Sequence, residues 1–169
     1  MWNIRRRKEH QEFEPRALAE DTFQKFLGLE SKRSKRSLRR FALMLLEPES
    51  HHAANEIVMK KLLNVLPAST RETDIVGWYR NGCVIGVIFT EIGAADDRTV
   101  RNVLLAKIGN VLRKELNGQA NQIQLSLQVF SHSEAIDETL VPGRYRDIVG
   151  NSHGENNEVF ALRATNASS

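Results

Sequence analysis

Apolar residues change their spacing several times along this chain, and each change marks an element. Leu18, Phe23, Phe26 and Leu27 recur among good helix formers, which predicts an amphipathic helix from about residue 15 to 36, with Asp21-Thr22 as an interruption or N-cap. Phe41-Ala-Leu-Met-Leu-Leu46 is apolar throughout and ends at Glu47-Pro48, as expected of a buried strand. Ile57, Val58, Leu62, Leu63, Val65 and Leu66 return to helical spacing until Pro67, which is expected to stop the helix. Residues 74–91 read as a β-hairpin around Asn81-Gly82, a type I′ signal because both central residues of that turn need φ > 0. Its second arm, residues 84–89, is almost wholly apolar and so belongs in the middle of a sheet, covered on both faces. Val100, Val103, Leu104, Ile108, Val111 and Leu112 form one stripe of a helix over 96–116, capped by Asp96 or Asp97 and ended by Asn117-Gly118. Residues 122–130 alternate polar and apolar, which predicts a strand with one wet face that closes the sheet.

The order helix, strand, helix, strand, strand, helix, strand is β-α-β-β-α-β behind a leading helix. It predicts an α+β fold, ferredoxin-like or nucleotidyl-cyclase-like, with helices on one face of an antiparallel sheet. Such an architecture serves many activities and names none. The expected division is a basic lead-in over 1–20, a domain over 21–133 and a polar tail without regular structure over 134–169.

With 169 residues and 41% hydrophobic content, one domain with a real core is expected. The one cysteine, Cys83, excludes an internal disulfide and a multi-cysteine zinc site, so the expected setting is cytoplasmic. Met1-Trp-Asn-Ile-Arg-Arg-Arg-Lys8 has no apolar run after it and reads as neither a signal peptide nor a membrane span. Charge is uneven: of 24 Lys and Arg and 21 Asp and Glu, residues 1–40 hold 12 and 6. The clusters at 5–8 and 32–40 could meet phosphate on an anionic membrane or on nucleic acid; a solvated tail and helix end is the plainer reading, and no aromatic interleaves with 32–40 to stack bases.

The strand ending in an acid (Phe41 to Glu47), Arg71-Glu-Thr-Asp-Ile-Val-Gly-Trp-Tyr79, the hairpin and Ser126-Leu-Gln-Val-Phe130 together resemble the GGDEF family of bacterial diguanylate cyclases over about residues 21–131. The resemblance sets the family signature on Arg80-Asn81-Gly82-Cys83-Val84. Gly82 and Cys83 then stand where the family keeps the acidic pair that holds a divalent metal and helps activate the attacking hydroxyl. Mg²⁺ prefers hard oxygen ligands and a neutral thiol is a poor one, so the resemblance implies that cyclase activity is lost, with no cofactor. Glu47 falls on the other metal carboxylate but is followed by Pro48, with Glu49 beyond it. A solvated strand end is the plainer account of it.

Arg71-x-x-Asp74 falls on the family's inhibitory site, which grips cyclic di-GMP, and a guanidinium with a carboxylate suits phosphate and guanine edges. The bland account is that the two residues pair or cap the loop before the strand. A narrower resemblance, carried by Lys32-Arg-Ser-Lys-Arg36, residues 41–46, 71–79 and 84–91, is to the degenerate domain ahead of some bacterial exopolysaccharide sugar transferases; residues 139–147 resemble a remnant of its linker. The resemblances imply a catalytically inactive regulatory or docking module with a protein partner, and alternatively a cyclic di-GMP receptor. An active cyclase or a nucleic-acid binder is expected less. His51-His52 have no further ligand at metal spacing, Cys83 no evident base, and Trp78 and Tyr79 read as core rather than as a purine platform.

Overall fold

The computed structural model describes residues 17–49, 53–131 and 159–161. In chain order these form α1 (Glu20–Ser37), β1 (Phe41–Pro48), α2 (Ala53–Ser69), β2 (Ile75–Arg80), β3 (Val84–Phe89), α3 (Asp97–Leu116), a 3-10 turn (Gln119–Gln122), β4 (Ile123–Phe130) and β5 (Val159–Ala161). The strands lie in the order β2-β3-β1-β4-β5, and every neighbouring pair is antiparallel. The first four follow the split βαβ order that the element pattern predicts. β4 does not close the sheet, however. Val159, Phe160 and Ala161, within the tail expected to lack regular structure, pair with Ser126, Leu125 and Gln124. The rest of 134–169, the lead-in before residue 17 and His51-His52 lie outside the described residues.

β1 explains the layering. Its six residues Phe41 to Leu46 are all at most 3% exposed, so both faces of the strand need cover. Ala42, Met44 and Leu46 pack with Ile85, Val87 and Phe89 of β3 beneath Val58, Met59, Leu62 and Leu66 of α2 and Ile108 and Leu112 of α3. Phe41, Leu43 and Leu45 turn the other way and join Val84, Ile88 and Phe130 beneath Phe23 and Leu27 of α1. The leading helix is therefore a layer of its own on the second face. Phe41 and Phe130, opposite each other on β1 and β4, stack at 4.8 Å on that side. The wet face expected of β4 is only half wet: Gln124 and Gln128 are half-buried, while Ser126 is buried.

A notch in the sheet seats α1. Gly77 and Gly86 oppose each other across β2 and β3, and neither has the positive φ that would require glycine. Space requires it instead: a Cβ on Gly86 would come 2.3 Å from Cζ of Phe23, and one on Gly77 would come 2.7 Å from the Leu18 carbonyl oxygen. Leu18 lies along β2, donating its N–H to Val76 O at 2.8 Å and accepting from Trp78 N–H at 2.9 Å. This parallel bridge takes Leu18 out of the predicted helix, which starts at Glu20 behind Ala19 with no side-chain cap. Glu20 and Asp21 in the first turn and Lys35 and Arg36 in the last suit the helix dipole.

α2 passes through Pro67 and ends at Ser69. The hydroxyls of Ser69 and Thr70 donate to the carbonyls of Val65 and Leu66 in the last turn of the helix. α3 matches its prediction closely, although Val103 of the expected stripe is 60% exposed. Its cap is Asp96, which accepts from the Thr99 N–H at 3.0 Å and the Thr99 hydroxyl at 2.6 Å. Those bonds hold the Asp96 carboxyl below its ordinary value of 3.8. A depressed folded-state value gives stability that is present above the unfolded pKa and lost as pH falls through the folded one. Denaturation midpoints measured downward from neutral pH should therefore fall more steeply for the native protein than for Asp96→Asn; parallel curves would remove the cap from the account. Among the described residues no helix is long and apolar enough to cross a membrane.

Candidate functional site

The hairpin tip is built by a three-residue loop, with Arg80 paired to Val84 and an irregularity between Trp78 and Arg80. Cys83 N–H donates to Arg80 O at 3.0 Å, closing a four-residue turn. Gly82 has φ 71°, but Asn81 is not among the residues with positive φ, so the turn is not the expected type I′. Positive φ at the second central residue alone is the requirement of a type II turn. A long-range contact fixes the difference: Asn81 N–H donates to Glu20 Oε2 at 2.7 Å, tying the tip to the first turn of α1. Val84 is fully buried and Cys83 half-buried beside the α1-side core.

Trp78 packs against the core under α2 and α3, while Tyr79 is buried and meets Phe23 edge-on at 6.4 Å, so both are core aromatics as expected. Burial pushes the Tyr79 phenol up, with the charge of Arg80 opposing it.

Glu47 stands beside this tip at the end of β1. Its Oε1 lies 3.3 Å from Nη2 of Arg80, with the Glu47 side chain 16% exposed and that of Arg80 42% exposed. The acid placed by sequence on a metal carboxylate is thus paired with a cation from the signature itself. A half-exposed pair of this kind adds at most about 1 kcal/mol to stability, but it engages the carboxylate and offsets the charge that a metal would need. Glu49, two residues on, is exposed, and its N–H donates to Gln122 O at 2.8 Å in continuation of the strand. Among the described residues no three His, Cys, Asp or Glu side chains gather as metal ligands. The donor set at the tip, a Glu47 carboxylate paired with Arg80, a Glu20 carboxylate bonded to the Asn81 N–H and a thiol, does not fit the magnesium site of a cyclase.

Arg71 and Asp74 are brought together at the loop between α2 and β2. Asp74 uses its carboxylate on the backbone: Oδ2 accepts from Arg71 N–H at 3.0 Å and Oδ1 from Thr90 N–H at 3.3 Å. Asp74 N–H returns to Arg71 O at 3.0 Å. The aspartate therefore caps the loop and fastens it to the chain leaving β3. No described residue accepts from the exposed Arg71 guanidinium, which lines a cavity of about 340 Å³ together with Asp74, Thr90 and Lys107. Lys107 is the member that sequence reasoning missed. It comes from α3, and only the tertiary fold places it near the loop.

No family model and no curated protein matches the chain. Solved structures do. A DGC protein from Thermotoga maritima superposes with a TM-score of 0.51 at 17% identity, covering 72% of this chain and 86% of that one. Diguanylate cyclase SiaD from Pseudomonas aeruginosa, solved in complex with its activator SiaC, gives a TM-score of 0.52 at 16% identity over 73% of this chain; the match spans half of SiaD. Likeness at this level of identity establishes the fold: α+β, of the diguanylate cyclase kind.

Proposed function

We propose that this chain is a catalytically silent diguanylate cyclase-like domain that acts by binding, as a regulatory or docking module in bacterial signalling or exopolysaccharide synthesis. The observation that carries the reading is the pairing of Glu47 with Arg80 at 3.3 Å, in a hairpin whose tip holds Gly82 and Cys83 in place of acids. Phosphoryl chemistry on GTP needs metal ions, held by carboxylates, to offset developing negative charge, and an internal guanidinium on Glu47 works against holding one there. A protein partner has a precedent of fold, since SiaD was solved in complex with its activator SiaC. The link to sugar transferases rests on the sequence resemblance. Purified protein with GTP and Mg²⁺ or Mn²⁺ is expected to give no turnover above the blank; turnover abolished by Glu47→Ala would sink the proposal. In a host strain, deleting the domain should alter partner localisation or polymer output, and no change in either would count against docking.

A second reading, a cyclic di-GMP receptor, is favoured by one observation: Arg71, Asp74 and Lys107 line a single cavity. Arg71 would supply the phosphate or guanine contact, while Asp74 has already given both oxygens to backbone donors. Calorimetry decides it, because micromolar binding that Arg71→Ala weakens at least tenfold is required. No heat, or equal binding by the variant, removes the reading.

A further inference from the structure

A second and larger hollow, of about 690 Å³, lies between the C-terminal half of α1 and the end of the sheet where β1 starts and β3 stops. Four arginines line it: Arg33 and Arg36, three residues apart on α1, and Arg39 and Arg40 from the connection to β1. Its apolar wall is Phe26, Phe41 and Ile75.

One feature remains unexplained by folding, and one cation of the lining is left to solvent. Ser34, 2% exposed on the wall of the hollow, has a buried hydroxyl without a hydrogen-bond partner among the described residues. Arg36 has no carboxylate partner among them. The other three arginines hold acids: Arg33 with Glu30 at 2.5 Å, Arg39 with Glu91 at 3.4 Å, and Arg40 with Asp97. The guanidiniums of Arg33 and Arg39 are largely exposed, so these pairs can exchange for a stronger anion at little cost.

We propose that this hollow binds a small organic phosphate, its phosphoryl oxygens accepting from the Ser34 hydroxyl and the arginine guanidiniums and its planar body lying on Phe26 and Ile75. The hydroxyl oxygen is covered, so side chains of the lining must shift to admit any anion; a compact one needs the smallest shift, whereas a bulkier acidic segment would have to part α1 from the sheet. Phosphate has oxygens enough to serve a hydroxyl and two forked donors together. The negative end of the α1 dipole is opposed by four arginines against Glu30, Glu91 and the Asp97 that holds Arg40, an excess of one cation. The volume suits a mononucleotide-sized ligand.

The test is calorimetry of the full chain at low salt with AMP, with inorganic phosphate as the anion alone and adenosine as the body alone. AMP is expected to bind more tightly than phosphate, and adenosine not at all at millimolar concentration. Ser34→Ala should weaken AMP at least about fivefold while its melting temperature stays the same or rises, since the substitution removes an unpartnered buried hydroxyl. Arg36→Ala should weaken AMP about tenfold and Arg71→Ala should leave it unchanged, which separates this hollow from the cavity beside Asp74. No binding of AMP, binding no tighter than that of phosphate or adenosine, native affinity in both the Ser34 and Arg36 variants, or loss in Arg71→Ala alone would each overturn the assignment.

Discussion

Phe23→Ala is expected to cost about 3–5 kcal/mol. Phe23 is fully buried, fills the notch over Gly77 and Gly86, and meets Tyr79 edge-on. Nothing on the sheet can close the gap, because the two residues beneath it have no side chains. The reverse change tests the same fit: Gly86→Ala puts a methyl 2.3 Å from Cζ of the ring, and overpacking of this kind costs about 1–3 kcal/mol. The ring is the end of a side chain, but it is enclosed and cannot swing away without lifting α1. The double variant should therefore cost less than the sum of the two, with a coupling of about 1 kcal/mol or more. Urea denaturation of the four proteins measures it, and strict additivity would mean that Phe23 does not occupy the notch.

That notch shows where the sequence was legible and where it was not. A glycine inside each of two strongly apolar strands is a signal of close approach, yet nothing local says what approaches. β1, β3 and α3 could be read because burial imposes a period on contiguous residues. Leu18 could not: its membership of the helix or of the sheet edge is decided by β2, far along the chain, and the sheet wins with two backbone hydrogen bonds. The turn type failed for the same reason, since the Asn81 N–H is recruited by Glu20 from α1. At the candidate sites, residue types were legible and partners were not. Glu47 reads in the sequence as an acid at a strand end, but only the fold sets Arg80 against it, and only the fold turns the charge cluster at 32–40 into the lining of a hollow.

Asp74→Ala is expected to destabilise the protein by about 1–2 kcal/mol, whereas Arg71→Ala should lie within about 0.5 kcal/mol of the native protein. The difference follows from what each side chain holds. Asp74 is half-buried and its two oxygens take the N–H groups of Arg71 and Thr90, so its removal frees the loop after α2 and the residue after β3 together. Water reaches part of this region, which keeps the cost below that of two fully buried orphan donors. The Arg71 side chain is exposed and has no such bond among the described residues. Asp74→Asn keeps one carbonyl acceptor and should recover about half of the loss. Melting curves of the three variants measure this directly, and equal stability for Asp74→Ala and the native protein would contradict the cap. The order also governs how ligand assays at this loop must be read. A failure of Asp74→Ala to bind cyclic di-GMP could follow from loosening of the loop, so Arg71→Ala, which leaves the loop intact, is the variant whose binding discriminates a receptor from a docking domain.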